Sequence, residues 1–482
     1  MTDGSGLVRR CAVRHGWFVA VLALGAAARA LAQAGYRPGL WFNDSFDYVQ
    51  IALGPFAHPI RPAGYGVFLW LLQPLGSVAA VVAAQHLLGL ASGALVYALL
   101  RRRGLPGWGA ALASAAVLLD GDLIELETLI LSDTLFLFLL LAALTLVLWP
   151  GTSRRRPVLA ALVLAAATLT RTIGLPVLGL VLGWLAWRWL RDGLGGPDGR
   201  GARVLAAAAV AGLLPLGLYA GWFHAENGRY AITATDGVFL WGRTAAFAEC
   251  TGISPELRYL CPQGEPADRK ASSSQVWAPE SPIGWRYGEA FDPEVNADAQ
   301  RFALQTIAAQ PWDYLRTVSY DLFVRSFSWH HGDHPTPVTA RKYDFPERAD
   351  PLPDWPVLGG GTPGSVVAAY DPGAARATAV VEPWAGFARA YQGVMSVRGP
   401  LLAALVLLPL AVAARRRRPP GPAWAVAALL LAFPPLTVDF DHRYVVTATP
   451  VAALAAGYAL ARRRREPPAE EPPRHLAAST AL

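Results

Sequence analysis

Charged residues interrupt an otherwise apolar chain in four short clusters, and their types limit the chemistry they can do. The first is Asn43-Asp44-Ser45-Phe46-Asp47-Tyr48, followed by His58-Pro59-Ile60-Arg61-Pro62-Ala63-Gly64-Tyr65. The second joins Asp120-Gly121-Asp122, Glu125 and Glu127 to Ser132-Asp133; the third is Thr170-Arg171-Thr172, just before Gly174. The fourth reads Asp439-Phe440-Asp441-His442-Arg443-Tyr444, with Pro450 beyond it. A carboxylate can accept a proton from a hydroxyl, and a guanidinium presents paired donors to phosphate or carboxylate. Asp120 and Asp122, with Glu125 and Glu127 nearby, offer the oxygen donors a hard divalent cation prefers, although a lone DxD string is a weak signal. Each residue also has a plainer reading. Outward acids are solvated, Asp47 caps a turn, Arg171 and Arg443 bridge to neighbouring acids, and a single His442 is structural.

The elements that must hold these clusters are apolar. Of 482 residues, 54% are hydrophobic and 16% charged, and the mean hydropathy is +0.32, whereas a soluble domain carries about 25% charge. Those values exclude a disordered chain, a nucleic-acid-binding domain and an ordinary cytosolic enzyme. Lys occurs only at Lys270 and Lys342, and the abundance of Arg, Ala, Gly and Pro fits a GC-rich bacterial genome. Runs approaching the roughly 20 apolar residues a bilayer demands recur near 17–34, 76–100, 107–120, 128–149, 157–170, 174–190, 204–222, 399–414, 422–437 and 444–461. They predict an all-α polytopic membrane protein of about ten transmembrane helices. Arg9, Arg10, the first apolar run and Ala30-Leu31-Ala32 imitate a secretory signal, but Arg29 directly before the small residues argues for an uncleaved anchor.

Arginine placement orients the chain. Arg9, Arg10 and Arg14 precede the first run, Arg101–Arg103 follow the second, Arg154–Arg156 the fourth, and Arg415–Arg418 the eighth. Arg188, Arg191, Arg200 and Arg203 lie between the sixth and seventh, and Arg462–Arg465 follow the tenth. Every second connection is thus basic, which puts both termini in the cytoplasm. The acids of the four clusters, with Arg37, Arg61, Arg171 and Arg443, then stand at the extracytoplasmic ends of spans. Charges at membrane depth are costly unless paired or facing a wet cavity, so they mark a functional site.

Residues 223–397 form one large extracytoplasmic connection between the seventh and eighth spans, with 14 basic and 20 acidic residues, a net of −6. The chain therefore divides into an N-terminal membrane module (1–222), this loop domain (223–397), C-terminal membrane helices (398–465) and a cytoplasmic tail (466–482). Cys250 and Cys261 face an oxidising compartment and close a short loop, so a disulfide is expected, while Cys11 stays reduced. Asn296–Gln310 has helical apolar spacing, Pro311 breaks it, and Trp312–Trp329 is a second amphipathic helix. The stretch 331–383, rich in Pro, Gly and Asp, is expected to be irregular. Its His330, His331, Asp333 and His334 have the donor types of a zinc site, though solvated histidines are the plainer reading. Trp277, Trp285, Trp329 and Trp355 can stack on sugars or simply pack the domain.

In these motifs the sequence resembles the GT-C type integral-membrane glycosyltransferases that use polyprenyl- or dolichyl-phosphate sugars. Protein O-mannosyltransferases (family 39) and the lipid A aminoarabinose transferase belong to this group. The resemblance rests on Asp44 followed four residues later by Tyr48, the Pro62-to-Tyr65 element, the acid after Ser132 (here Asp133 in place of the more usual Glu), and Arg443-Tyr444 entering the last span. It covers roughly 17–222 and 399–461. The pattern from Gly242-Arg243 through Cys250 and Leu260-Cys261-Pro262 is similar to actinobacterial members.

The resemblance implies an inverting, single-displacement transfer from a polyprenyl-phosphate sugar to an acceptor hydroxyl on a glycan, protein or lipid, at the extracytoplasmic face of the plasma membrane. By that analogy Asp44 is the general base, its proton affinity raised near a low-dielectric surface, and Asp47 is the second acid. Arg171 and Arg443 are the natural phosphate partners, with Arg61 and His442 in support. Tyr48, Glu127, Asp133, Tyr65 and Tyr444 position substrate or an arginine. No cofactor is required; oligosaccharyltransferases of the same fold class use a divalent ion near Asp120 and Asp122, which keeps a cation possible there. No nucleic-acid partner is expected. A transporter or flippase would show midplane charges and internal pseudo-symmetry, and a polysaccharide polymerase or ligase would show Arg/His-rich outer loops. These are the rival readings.

Overall fold

The computed structural model describes residues 4–151, 153–192, 200–269, 271–278, 281–283, 292–374 and 377–461. The expected tail 466–482, the basic run Arg462–Arg465 and Trp285 lie outside the described residues. The apolar N-terminal half folds as α1 (Gly4–Gly35), α2 (Ser45–Leu53), α3 (Gly64–Leu72), α4 (Val78–Arg102), α5 (Gly107–Leu118), α6 (Gly121–Thr128) and α7 (Asp133–Leu148). Then come α8 (Arg155–Thr170), α9 (Gly174–Asp192) and α10 (Arg200–Asn227). The polar segment contributes α11 (Asp236–Ala245), α12 (Ser272–Trp277), α13 (Pro293–Ala309), α14 (Pro311–Ser319), α15 (Pro337–Ala340), α16 (Pro363–Tyr370) and α17 (Trp384–Met395). The last three helices are α18 (Gly399–Arg416), α19 (Pro422–Thr437) and α20 (His442–Leu460). A minimal sheet pairs β1 (Tyr36–Arg37) antiparallel with β2 (Ala379–Val380), Tyr36 opposite Val380.

Each of the ten apolar runs falls on a helix. Among the described residues four stretches, His15–Gly35, Val78–Arg102, Gly201–Asn227 and Gly399–Arg416, are long and apolar enough to cross a membrane. On α10 the side chains of Val210, Leu213, Leu214 and Leu218 face outward from the bundle, where lipid rather than water would bury them. Two boundaries differ from the sequence reading. The run 128–149 is not one helix, because Leu40 pairs with the chain where α6 ends: Leu40 N donates to Thr128 O (2.9 Å) and Ile130 N to Leu40 O (3.1 Å). Helix α7 consequently starts at Asp133. The expected helix 312–329 splits into α14 and a π-helical turn over Tyr320–Arg325, which turns Asp321 inward onto Arg243. Such turns inserted in helices often mark functional positions.

The membrane helices pack α7 and α10 on α8, α4 on α5 and α7, and α18 and α19 on α20. Their shared core continues into Tyr343, Phe345, Val357, Val366, Val367 and Ala388 of the polar segment. A second, smaller core gathers Val238, Trp241, Leu257, Leu260, Val276 and Phe302, closed by the Cys250–Cys261 disulfide. The segment 223–397 therefore supplies one independent core and one flank of the membrane bundle. Gly64 sets the approach of α3 to the end of α8: a Cβ there would meet Leu169 O at 2.5 Å. That contact brings the first loop beside Arg171.

Candidate active site

Helix α2 starts at Ser45, and Asp44 stands at its N-cap without capping it; its carboxylate is turned to the arginines instead. Arg61 Nη2 donates to Asp44 Oδ1 at 2.6 Å and Arg443 Nη1 to Asp44 Oδ2 at 3.0 Å. Asp44 is 6% exposed. Burial works to raise its pKa, but Arg61 and Arg443 outweigh that and hold the carboxyl below its ordinary value. The sequence-based expectation of raised proton affinity is thus corrected: two guanidiniums win over desolvation. Asp47, one turn on, faces Arg61 Nε at 3.5 Å and His58 Nε2 at 3.6 Å.

The first turn of α20 delivers Arg443, since Asp441 caps that helix by accepting from Arg443 N. The Arg443 guanidinium lies 5.0 Å over Phe42 and 5.4 Å over Tyr444, with Asp441 Oδ2 at 3.2 Å from its Nε. The Arg171 guanidinium is 5.3 Å from the same Tyr444 ring and forms an ion pair with Asp133. The Tyr444 ring is therefore a neighbour of both cations, a cation–π partner that holds like charges near one another. Thr447, one turn further along α20, donates to Arg443 O at 2.7 Å and lies 3.5 Å from Asp133 Oδ1. Tyr48 and Ser132 join the first loop to the start of α7, hydroxyl to hydroxyl, at 3.0 Å. Of the residues picked from the sequence, Asp44, Asp47, Arg61, Arg171, Arg443, Asp133, Tyr48 and Tyr444 thus form one connected cluster.

Five others have their polar atoms held elsewhere. Glu127 belongs to a buried knot inside the bundle: Arg29 donates to both its oxygens (2.7 and 2.6 Å) and His86 Nδ1 lies 2.9 Å away. Gly89 is part of that knot, because a Cβ there would sit 1.9 Å from Glu127 Oε1. Tyr65 packs its ring edge-on against Tyr48 of the cluster (centroids 4.9 Å) but gives its hydroxyl proton to Gln85 Oε1 at 2.6 Å, and Gln85 in turn donates to Glu127 O and Leu129 O. His442 points away from Asp44, with Nε2 3.3 Å from Asp122 Oδ2. Asp122 also accepts from Ser396 and Gln392 (2.6 and 3.0 Å), and Asp120 caps α6 through Asp122 N and Leu123 N. The DxD oxygens are thereby taken up by protein donors. Among the described residues no three His, Cys, Asp or Glu side chains are arranged to hold a metal ion, so neither that pair nor the histidine-rich loop has the geometry the sequence suggested. His334 instead meets Asp439 at 3.2 Å and His331 meets Asp344 at 3.3 Å.

The sequence reading missed several partners. Lys342 reaches from the polar segment to Asn43 Oδ1 at 2.7 Å and lies 5.5 Å from the Phe42 ring. Burial pushes its ammonium pKa down, with Asp350 and Asp44 opposing. Its being one of two lysines was the available signal. Glu125 is buried with Oε1 unbonded; burial and the nearby Asp122 push its carboxyl well above the ordinary range. Arg243 pairs with Asp321 at 2.6 Å, both 1% exposed, and Arg325 holds the other Asp321 oxygen. Arg243 is also 3.6 Å from Asp439, which ties the disulfide core to the loop that precedes Arg443.

Residues 76–228 match the family model of Dolichyl-phosphate-mannose-protein mannosyltransferase. The GT-C resemblance seen in the motifs is therefore met by a glycosyltransferase family over a stretch that includes Glu127, Asp133 and Arg171, while Asp44 and Arg443 fall on either side of it. No curated protein matches the sequence. Among solved structures, the protein O-mannosyltransferase complex of S. cerevisiae bound to its sugar donor is 17% identical, covering 55% of this chain and 38% of that one, with TM-score 0.37. The oligosaccharyltransferase AglB of Archaeoglobus fulgidus, in complex with an inhibitory peptide and a dolichol-phosphate, is 13% identical over 92% of this chain and 50% of its own, with TM-score 0.42. ArnT of Cupriavidus metallidurans bound to undecaprenyl phosphate is 16% identical over 92% and 78%, with TM-score 0.33.

Proposed function

We propose that the chain is a membrane glycosyltransferase of the GT-C type, moving a sugar from a polyprenyl-phosphate donor to an acceptor hydroxyl with Asp44 as general base. The observation that carries this reading is the convergence of Asp44 with Arg61 and Arg443 beside the Arg171–Tyr444 stack. Such a set matches the two needs of the reaction, a proton acceptor and fixed positive charge at a departing phosphate.

In the free protein Asp44 is a weak base, because two guanidiniums stabilise its anion. An arriving donor phosphate competes for the same bidentate donors. As Arg443 and Arg61 turn to it, Asp44 loses its counter-charges and its proton affinity rises. The acceptor oxygen then attacks the anomeric carbon, and its proton passes to Asp44. The bond from that carbon to the phosphate oxygen breaks, its electron pair leaving with the phosphate, and the anomeric centre inverts. Arg171, aimed by Asp133, and Arg443, aimed by Asp441, hold the released anion. Lys342 adds charge at the outer edge. The donor thus switches on its own base.

The same reading places ten spans across a plasma membrane with both termini cytoplasmic, the polar segment 223–397 outside and the Asp44 cluster at the extracytoplasmic face. The alternation of arginine-rich connections supports it. The test is transfer from a radiolabelled polyprenyl-phosphate sugar by protein reconstituted in nanodiscs. Asp44→Asn should insert, fold and bind donor yet fail to transfer; near-wild-type turnover in that variant would overturn the assignment.

A further inference from the structure

A half-open cavity of about 1560 Å³ lies at the other end of the helices that build the Asp44 cluster. Helix α20 carries Arg443 in its first turn and Tyr458, on the cavity wall, near its last. Fifteen residues of helix separate them, roughly 23 Å. Helices α7, α8 and α9 make the same passage: Asp133 to Val147, Arg171 back to Arg156, and Gly174 to Trp187. The cavity and the candidate active site are therefore separate places on one set of helices.

The cavity combines two kinds of wall. Leu146, Val147, Val204 and Val412 provide apolar surface, and nine arginines line it with no carboxylate among the described lining residues. Arginines collect at cytoplasmic helix ends for topological reasons alone, but that rule does not require them to surround a concave apolar surface. Nor does it account for the aromatic rings beneath them. Arg102 lies 5.7 Å over Trp149 and Arg191 5.2 Å over Trp187. A guanidinium held by a ring face spends no N–H donor on it, which keeps its donors available to an anion. Arg156 and Arg416 are steadied in a different way, through carbonyls: Arg156 Nη1 donates to Pro150 O at 2.8 Å and Arg416 Nη1 to Ala459 O at 2.9 Å. A pre-positioned ring of cations over an apolar floor, between helices, suits an amphiphile whose head is a phosphate.

We infer that this cavity is a second binding site, which takes a phosphate-headed lipid with its head at Arg154, Arg156 and Arg416 and its chain along Val147 and Val412. A bilayer phospholipid and a polyprenyl phosphate share that chemistry. The sugar-transfer reading itself expects a polyprenyl phosphate at Arg171 and Arg443, so the readout is the part of the binding that substitutions in the cavity remove and that Arg171→Gln leaves in place. Detergent-purified protein is titrated calorimetrically with dihexanoyl phosphatidic acid, farnesyl phosphate, dihexanoyl phosphatidylcholine and inorganic phosphate. Phosphatidic acid or farnesyl phosphate should bind, each at least about tenfold tighter than phosphatidylcholine or inorganic phosphate, since the head supplies charge-assisted bonds and the chain adds buried area. The tighter of the two identifies the source. The triple change Arg154→Gln, Arg156→Gln, Arg416→Gln should weaken that binding at least about tenfold. Equal binding of inorganic phosphate, equal binding of phosphatidylcholine, or unchanged affinity in the triple variant would each overturn the proposal. If the triple variant fails to melt like wild type, Arg154→Gln and Arg416→Gln are measured singly against the same criterion.

Discussion

At the Asp44 cluster, Arg61, Arg171 and Arg443 each meet a carboxylate; in the cavity at the opposite end of the same helices, nine arginines line a wall whose described residues include no acid. The residue type is the same and the electrostatic solution is different. Arg443 is 8% exposed and sits under aromatic rings and loops, where an unpaired cation would carry the penalty of desolvation, so a carboxylate accompanies it. Arg416, Arg417 and Arg418 are exposed and water carries their charge. A paired site can only take an anion by exchange, which links binding to the release of Asp44. An exposed site such as Arg416–Arg418 takes an anion chiefly in exchange for water. The first arrangement suits a reaction and the second suits retention of a ligand.

The sharpest way to break this contrast is at Asp44. We expect Asp44→Asn to lower kcat for sugar transfer by roughly 10²–10⁴, the usual contribution of a general base, with donor binding retained. Loss of donor binding with kcat intact would mean that Asp44 only positions arginines. Next in size is the buried knot. Glu127→Gln leaves Arg29, 2% exposed, without its counter-charge, and breaking one side of a buried ion pair costs about 3–5 kcal/mol. Unfolding of the purified protein in detergent measures it. Arg154→Gln in the exposed cavity should stay within about 0.5 kcal/mol by the same assay. Similar losses for both would erase the distinction between buried, paired arginines and exposed ones.

The sequence made much of the paired site legible and little of what surrounds it. Apolar runs gave the helices, because hydropathy is a local property, and Asp44, Arg61, Arg171 and Arg443 stood out as charges at their ends. Partners set by tertiary packing were not legible. Lys342 meets Asn43 across 299 positions and His442 meets Asp122 across 320, with nothing in either motif naming the other. Glu127 looked equivalent to Asp133 for the same reason: both are acids in one loop, but α6 turns the first toward Arg29 and α7 the second toward Arg171. The start of α7 shifted because a backbone pairing with Leu40 has no side-chain signature.

Salt separates the two ends by a smaller effect. Raising ionic strength from about 0.1 to 1 M shortens the screening length from ~10 to ~3 Å, and exposed charges feel this far more than buried ones. Phosphatidic acid affinity at the arginine-lined cavity should therefore fall with salt more steeply than the donor KM at the Asp44 cluster rises. Parallel salt dependence would place both on similarly solvated charge.

The finest test concerns the base itself. Its folded pKa is depressed, despite burial, by Arg61 and Arg443, so Asp44 stays ionised below the ordinary carboxylate range and kcat/KM should hold at acidic pH until that lower pKa is crossed. Removing one lowering charge, Arg61→Gln, raises the pKa of the free enzyme and moves the acid limb of kcat/KM to higher pH. The limb of kcat, which reports the donor-bound state, should move less. There the phosphate has already drawn Arg61 and Arg443 from Asp44, so little lowering remains for the substitution to remove. Equal shifts in both profiles would mean that donor and Asp44 do not share these arginines, and exchange would give way to a permanent Asp44–arginine pair.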